Sequence, residues 1–113
     1  MNQKEFSVTA KENGAGRYVV IPIKGEPEIE GLKRILNAAL DLLSRGYGNI
    51  IVDLFGVASL SPACAGYLAV MKGRLEAAGG ELRLLVRSAK MRQLLAMHGL
   101  TDCILMEAGA IAH

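Results

Sequence analysis

Apolar residues recur along this chain in two alternating rhythms. Over 6–11, Phe6, Val8 and Ala10 alternate with Ser7, Thr9 and Lys11, the period of a half-buried strand. Glu12-Asn13-Gly14-Ala15-Gly16 is turn chemistry, because Asn and Gly accept positive φ cheaply. Tyr18–Ile23 is a β-branched apolar run, so the two segments predict a hairpin. Pro22 has no N–H to give a ladder, which places it at an edge or a bulge. After the break at Gly25-Glu26-Pro27-Glu28 the period lengthens. Leu32, Ile35, Leu36, Ala39 and Leu43 recur at helical spacing, and Gly46 is the natural stop.

From Asn49 onward the rhythms interleave. Ile50–Leu54 is a short apolar strand expected to be buried on both faces. A helix over Pro62–Ala78 carries a core stripe of Cys64, Tyr67, Leu68, Met71 and Leu75, and Gly79-Gly80 ends it. Leu82–Val86 reads as a strand. Ser88 caps a third helix with Met91, Leu94 and Leu95 inward, stopped by Gly99. Cys103–Met106 is the last strand, and Glu107–His113 is a short or frayed helix. Strand–helix alternation implies right-handed parallel crossovers. The expected fold is α/β: a small mixed, largely parallel sheet packed by helices.

Composition narrows the function classes. The 113 residues form one expected domain, 1–113, and 51% are hydrophobic, yet no apolar run is long enough to span a membrane. MNQKEFSV lacks the apolar core of a secretory signal, and Cys64 and Cys103 have no metal-finger or CxxC spacing, so the expected compartment is the cytoplasm. The net charge is only +2, with three tyrosines, two phenylalanines and no tryptophan. Arg83, Arg87, Lys90 and Arg92 are the nearest approach to a basic cluster. Neither density nor aromatic stacking suits a nucleic-acid binder, and these charges read as a solvated face.

The informative segment is Asn49–Leu68, a strand feeding a helix through a loop at the carboxyl edge of a sheet. Open α/β folds put their working surface there. The residues in this frame resemble the STAS domain, the fold shared by bacterial anti-sigma factor antagonists and the cytoplasmic tails of sulfate transporters. The likeness covers nearly the whole chain. It rests on Ile51-Val52-Asp53-Leu54, Val57, Leu60, Gly66 and Leu68, on Gly79-Gly80-Glu81-Leu82-Arg83-Leu84, and on Leu94-Leu95 with His98-Gly99-Leu100. Gly25 stands where that family keeps a glycine after the second strand.

The resemblance implies a regulatory loop reading Asp-Ser-Ser/Thr-Gly, whose first serine is phosphorylated by a partner that is both kinase and anti-sigma factor. The unphosphorylated domain binds that partner and frees the sigma factor. In this chain Ser61 stands at the aspartate, Pro62 at the acceptor serine, Ala63 next and Cys64 at the glycine. Proline cannot accept phosphate. Ser61 is a substitute acceptor one residue early, and Ser59 a second, but serine before proline is also a preferred helix start. A phosphate on Ser61 would be tolerated at the positive end of the helix dipole.

The expected docking surface is Gly25, Glu26, Asp53, Phe55, Ser59, Leu60, Ser61, Pro62 and Ala63. Asp53 has no second carboxylate or histidine near it in sequence, which argues against metal binding and general acid catalysis. Phe55 fits either the core or an apolar docking surface, with surface favoured. Cys64, in a first helical turn, allows a redox-sensing reading beside that of a small buried residue. His98, in a last helical turn, needs no ligand role. No phosphate-binding glycine loop or nucleophile elbow is present. No cofactor or metal is expected, and an enzymatic reading lacks a converging acid–base set. The resemblance leaves two kinds of partner: an anti-sigma factor/serine kinase, or the ATPase of a lipid-transport complex of which this chain would be a STAS subunit.

Overall fold

The computed structural model describes residues 9–13 and 16–105. Their elements are β1 (Thr9–Asn13), β2 (Gly16–Lys24), α1 (Ile29–Ser44), β3 (Asn49–Gly56), α2 (Pro62–Ala77), β4 (Glu81–Leu85), α3 (Ala89–Ala96) and β5 (Ile104–Leu105), with a 3-10 turn at Thr101–Cys103 before β5. The predicted positions Phe6, Ser7, Val8, Gly14, Ala15 and Met106, and the tail from Glu107, lie outside the described residues.

The strands form one sheet in the order β1-β2-β3-β4-β5. β1 runs antiparallel to β2, completing the expected hairpin, and the remaining pairs are parallel. Sequential parallel strands joined by crossovers of one hand must carry their helices on one face. Burial follows that rule. Val19, Ile21 and Ile23 of β2, Ile50, Val52 and Leu54 of β3, and Leu82 and Leu84 of β4 pack in one cluster with residues of all three helices. The intervening residues Tyr18, Ile51 and Leu85 form a smaller cluster on the other face. Ile51 is only 6% exposed there, so the central strand is buried on both faces.

Of the two places expected for Pro22 the structure keeps the bulge: β2 lies between β1 and β3, and its register shifts between Pro22 and Lys24. The differences from the sequence reading are local. Tyr67, Leu43 and Leu94 pack at the margin of the core rather than inside it, whereas Ala65 is fully buried. A helix lying close on a sheet fills its centre line with small side chains and leaves long ones to its flanks. Cys103 sits in the 3-10 turn rather than in the last strand. α1 ends as expected at Gly46, whose φ of 100° is a left-handed conformation glycine takes at little cost.

Candidate functional site

The carboxyl ends of β2, β3 and β4 and the starts of all three helices meet at one edge of the sheet. Two connections fix this edge, β2–α1 and β3–α2. Gly25 takes φ 76° and its N–H donates to the Gly56 carbonyl at 3.1 Å. The Cys64 thiol donates to the Pro27 carbonyl at 3.3 Å. The loop carrying Gly25 and Glu26 is thus held against the loop carrying Ser59–Ala63, at two points far apart in sequence. Gly25, Glu26, Ser59, Ser61, Pro62 and Ala63 share this edge, and all of them but the half-buried Ser61 are exposed.

Ser61 is the N-cap of α2. Its backbone is extended, its Oγ accepts from the Cys64 N–H at 3.1 Å, and Pro62 occupies the first helical position. The side chain satisfies one orphan donor, and proline removes another. The same device opens α3, where Ser88 Oγ accepts from the Met91 N–H at 2.9 Å. Neither helix has an acidic residue in its first turn, so both present the positive end of their dipole without a compensating charge.

Three of the predicted contact residues are placed differently. Leu60 is 8% exposed and belongs to the core, because its side chain closes the cluster beneath the loop. Asp53 is half-buried, and its Oδ1 accepts the Phe55 N–H at 2.9 Å, an Asx-type bond that fixes the end of β3. Phe55 packs on the sheet face away from the helices, beside Tyr18, Ile51 and Leu85, with the Arg87 guanidinium 4.7 Å above its ring. Strand alternation from Leu54 dictates this: Leu54 faces the helices, so Phe55 cannot. It therefore does not enlarge the surface around the start of α2.

Cys64 is 2% exposed, its thiol engaged with Pro27, which suits a packing residue better than a redox sensor. His98 Nδ1 lies 3.1 Å from the Leu94 carbonyl one turn earlier, so that nitrogen carries the hydrogen and closes the end of α3. Among the described residues no group of three or more His, Cys, Asp or Glu side chains could hold a metal ion. No described helix is long and apolar enough to cross a membrane.

The sequence reading missed the far wall of this edge. A groove of about 350 Å³ runs between the β3–α2 loop and the start of α3. Leu60, Pro62, Met91 and Leu94 make its apolar surface, and Ser59, Ser88 and Lys90 its polar rim. The signal was available: Ser88 caps the helix after the strand adjacent to β3, so its helix start must lie beside that of α2.

Solved structures with this fold include the anti-sigma factor antagonist SpoIIAA in its unphosphorylated form, at a TM-score of 0.69 and 19% identity, covering 92% of this chain and 90% of that one. The phosphorylated form of SpoIIAA, described as a Bacillus cell fate determinant, has a TM-score of 0.62 at 20% identity, with coverage of 92% and 94%. An anti-sigma factor antagonist from Mycobacterium paratuberculosis gives 0.63 at 15% identity, with coverage of 95% and 89%. At these identities the likeness is one of fold. No curated protein sequence matches the chain closely enough to count as a relative. The family model described as "Mlab, STAS domain" matches residues 10–107, almost the whole length. With its sheet order, its helices on one face and that match, the chain belongs to the STAS-domain family.

Proposed function

We propose that the chain acts as a single-domain protein-interaction module of bacterial signalling, an anti-sigma factor antagonist that docks a kinase-like anti-sigma factor. Docking uses the exposed carboxyl edge: the Gly25-Glu26 loop, the Ser59–Ala63 loop and the start of α2. It takes place in the cytoplasm, with no cofactor, no metal and no catalytic step of its own. One observation carries the distinctive part of this reading. Pro62 occupies the first position of α2, the place the resemblance gives to the family's acceptor serine, and it has no hydroxyl to modify. The surface is retained and its ordinary switch is absent. The module then binds constitutively, or is switched at Ser61, whose half-buried hydroxyl lies one residue earlier.

Incubation with the cognate kinase and location of any phosphate by mass spectrometry tests this. Phosphate at Ser61 supports a displaced switch. Efficient modification of neither Ser59 nor Ser61 leaves constitutive binding.

The same observation favours a second reading, in which the chain is the STAS subunit of a lipid-transport ATPase complex. A permanent subunit has no use for a phosphate that releases its partner. The two readings differ in what co-purifies: a kinase-like regulator in the first, a transporter ATPase at constant stoichiometry in the second.

A further inference from the structure

The groove between the β3–α2 loop and α3 points to the chemistry of what docks there. Its apolar surface comes from Leu60, Pro62, Met91 and Leu94, and no acidic side chain lines it. Lys90 stands on its rim, exposed and without an ion pair among the described residues. The charge pattern extends beyond that contact. From Leu82 to Thr101 the chain carries Arg83, Arg87, Lys90 and Arg92 and neither Asp nor Glu. Arg83 is neutralised by Glu81 at 3.0 Å, at the far end of β4, and Arg87 lies over Phe55 on the opposite sheet face, so Lys90 is the charge at the groove itself. Both helices that border the groove begin there with acid-free first turns, so their dipoles add to the same sign.

We infer that this groove receives a peptide segment of the partner that places a large apolar side chain against Pro62 and Leu94, over the buried Leu60 and Met91, and an acidic side chain against Lys90. The inference rests on the docking reading above and extends the contact surface from α2 to α3. An apolar centre supplies the buried contact, and the positive rim selects and orients the segment, a division of labour common to protein interfaces. The acids of this edge are Glu26, Glu28, Glu30 and the half-buried Asp53. They lie on the β2–α1 connection, the start of α1 or the end of β3, and none lines the groove. A basic segment there would meet Lys90 and two positive helix starts. The volume suits a few side chains, being at the small end of ligand clefts.

Panning a display library of short random peptides against the immobilised full chain tests the inference. The expected enriched peptides carry Asp or Glu beside large apolar residues. Lys90→Glu weakens them about tenfold and Lys90→Gln by less, and added salt weakens them further. Lys90 is exposed, so unchanged thermal unfolding of these variants excludes misfolding as the cause. Three results overturn the inference: no enrichment, enriched peptides without acids, or acidic peptides indifferent to Lys90→Glu. The underlying docking reading fails separately. If a partner recovered from the source organism is lost with Ser61→Glu but not with Lys90→Glu, docking stands and the acidic segment falls. If acidic peptides bind as expected while no partner depends on Ser61, the reverse holds.

Discussion

The two edges of the sheet are built from the same strands and finished in opposite ways. At the amino edge, Arg17 stacks 3.8 Å from the centre of the Tyr47 ring and donates to the Arg45 carbonyl at 3.2 Å. The Glu81 N–H donates to the Gly48 carbonyl at 2.8 Å. A side-chain carbon on Gly80 would come within 2.8 Å of the Leu43 methyl end and 3.1 Å of the Gly48 carbonyl, so Leu43 would have to turn aside and the carbonyl to give by a few tenths of an ångström. At the carboxyl edge the equivalent carbon on Gly25 meets nothing within 4 Å, although one on Gly56, where the two loops are joined, would come within 3.1 Å of the Ile23 carbonyl. Its loops are pinned by one backbone bond and one thiol bond, and above them lie exposed serines and a groove. Parallel strands gather their carboxyl ends and the helix starts on one side, which leaves that side free to bind while the other carries the closure.

Substitutions can break that contrast. The largest expected effect on stability is at the closed edge: Gly80→Val should destabilise by about 2 kcal/mol, because it crowds Leu43 and the Gly48 carbonyl, which a backbone hydrogen bond holds. Chemical denaturation reads this, and partner binding by the folded fraction should be unchanged. Ser61→Ala, at the open edge, removes the α2 cap and should cost about 1 kcal/mol, and Ser61→Gly only a few tenths. Both should alter binding more than stability. Tyr47→Leu removes the ring beneath Arg17 and should cost about 0.5–1 kcal/mol with no effect on binding. If Tyr47→Leu weakened binding as much as the Ser61 variants do, the division between edges would be wrong.

A control belongs to neither edge. Cys103 is buried, and burial is the main cause that raises its thiol above the ordinary range. The folded state therefore favours the neutral thiol. Its contribution is intact below the unfolded-state value and is lost as pH rises through the higher folded one. Denaturation midpoints should fall with pH above about 9, and Cys103→Ala should flatten that slope without touching binding.

The sequence made most of the frame legible because periodicity and punctuation agreed. Gly46 and the serine before each of the last two helices mark boundaries by local chemistry alone, and the structure keeps them. The undecided or misplaced residues depended on partners the local pattern cannot show. Pro22 by local chemistry allows an edge or a bulge, and only the pairing of β2 with β3 selects the bulge. Phe55 read alone fits core or docking surface, and the favoured docking surface fails because strand alternation puts it on the opposite face. The α3 wall of the groove went unseen for the converse reason. Ser88 and Lys90 approach the β3–α2 loop only through the pairing of β3 with β4, which brings together segments about thirty residues apart.

The most direct test is a pull-down from the source organism with the full chain in three forms: wild type, Ser61→Glu and, at the amino edge, Tyr47→Leu. Docking through the carboxyl edge predicts one ATPase-domain partner retained by wild type and Tyr47→Leu and reduced at least about tenfold by Ser61→Glu, a change of about 1.4 kcal/mol. A partner held equally by all three, or lost with Tyr47→Leu alone, would contradict it.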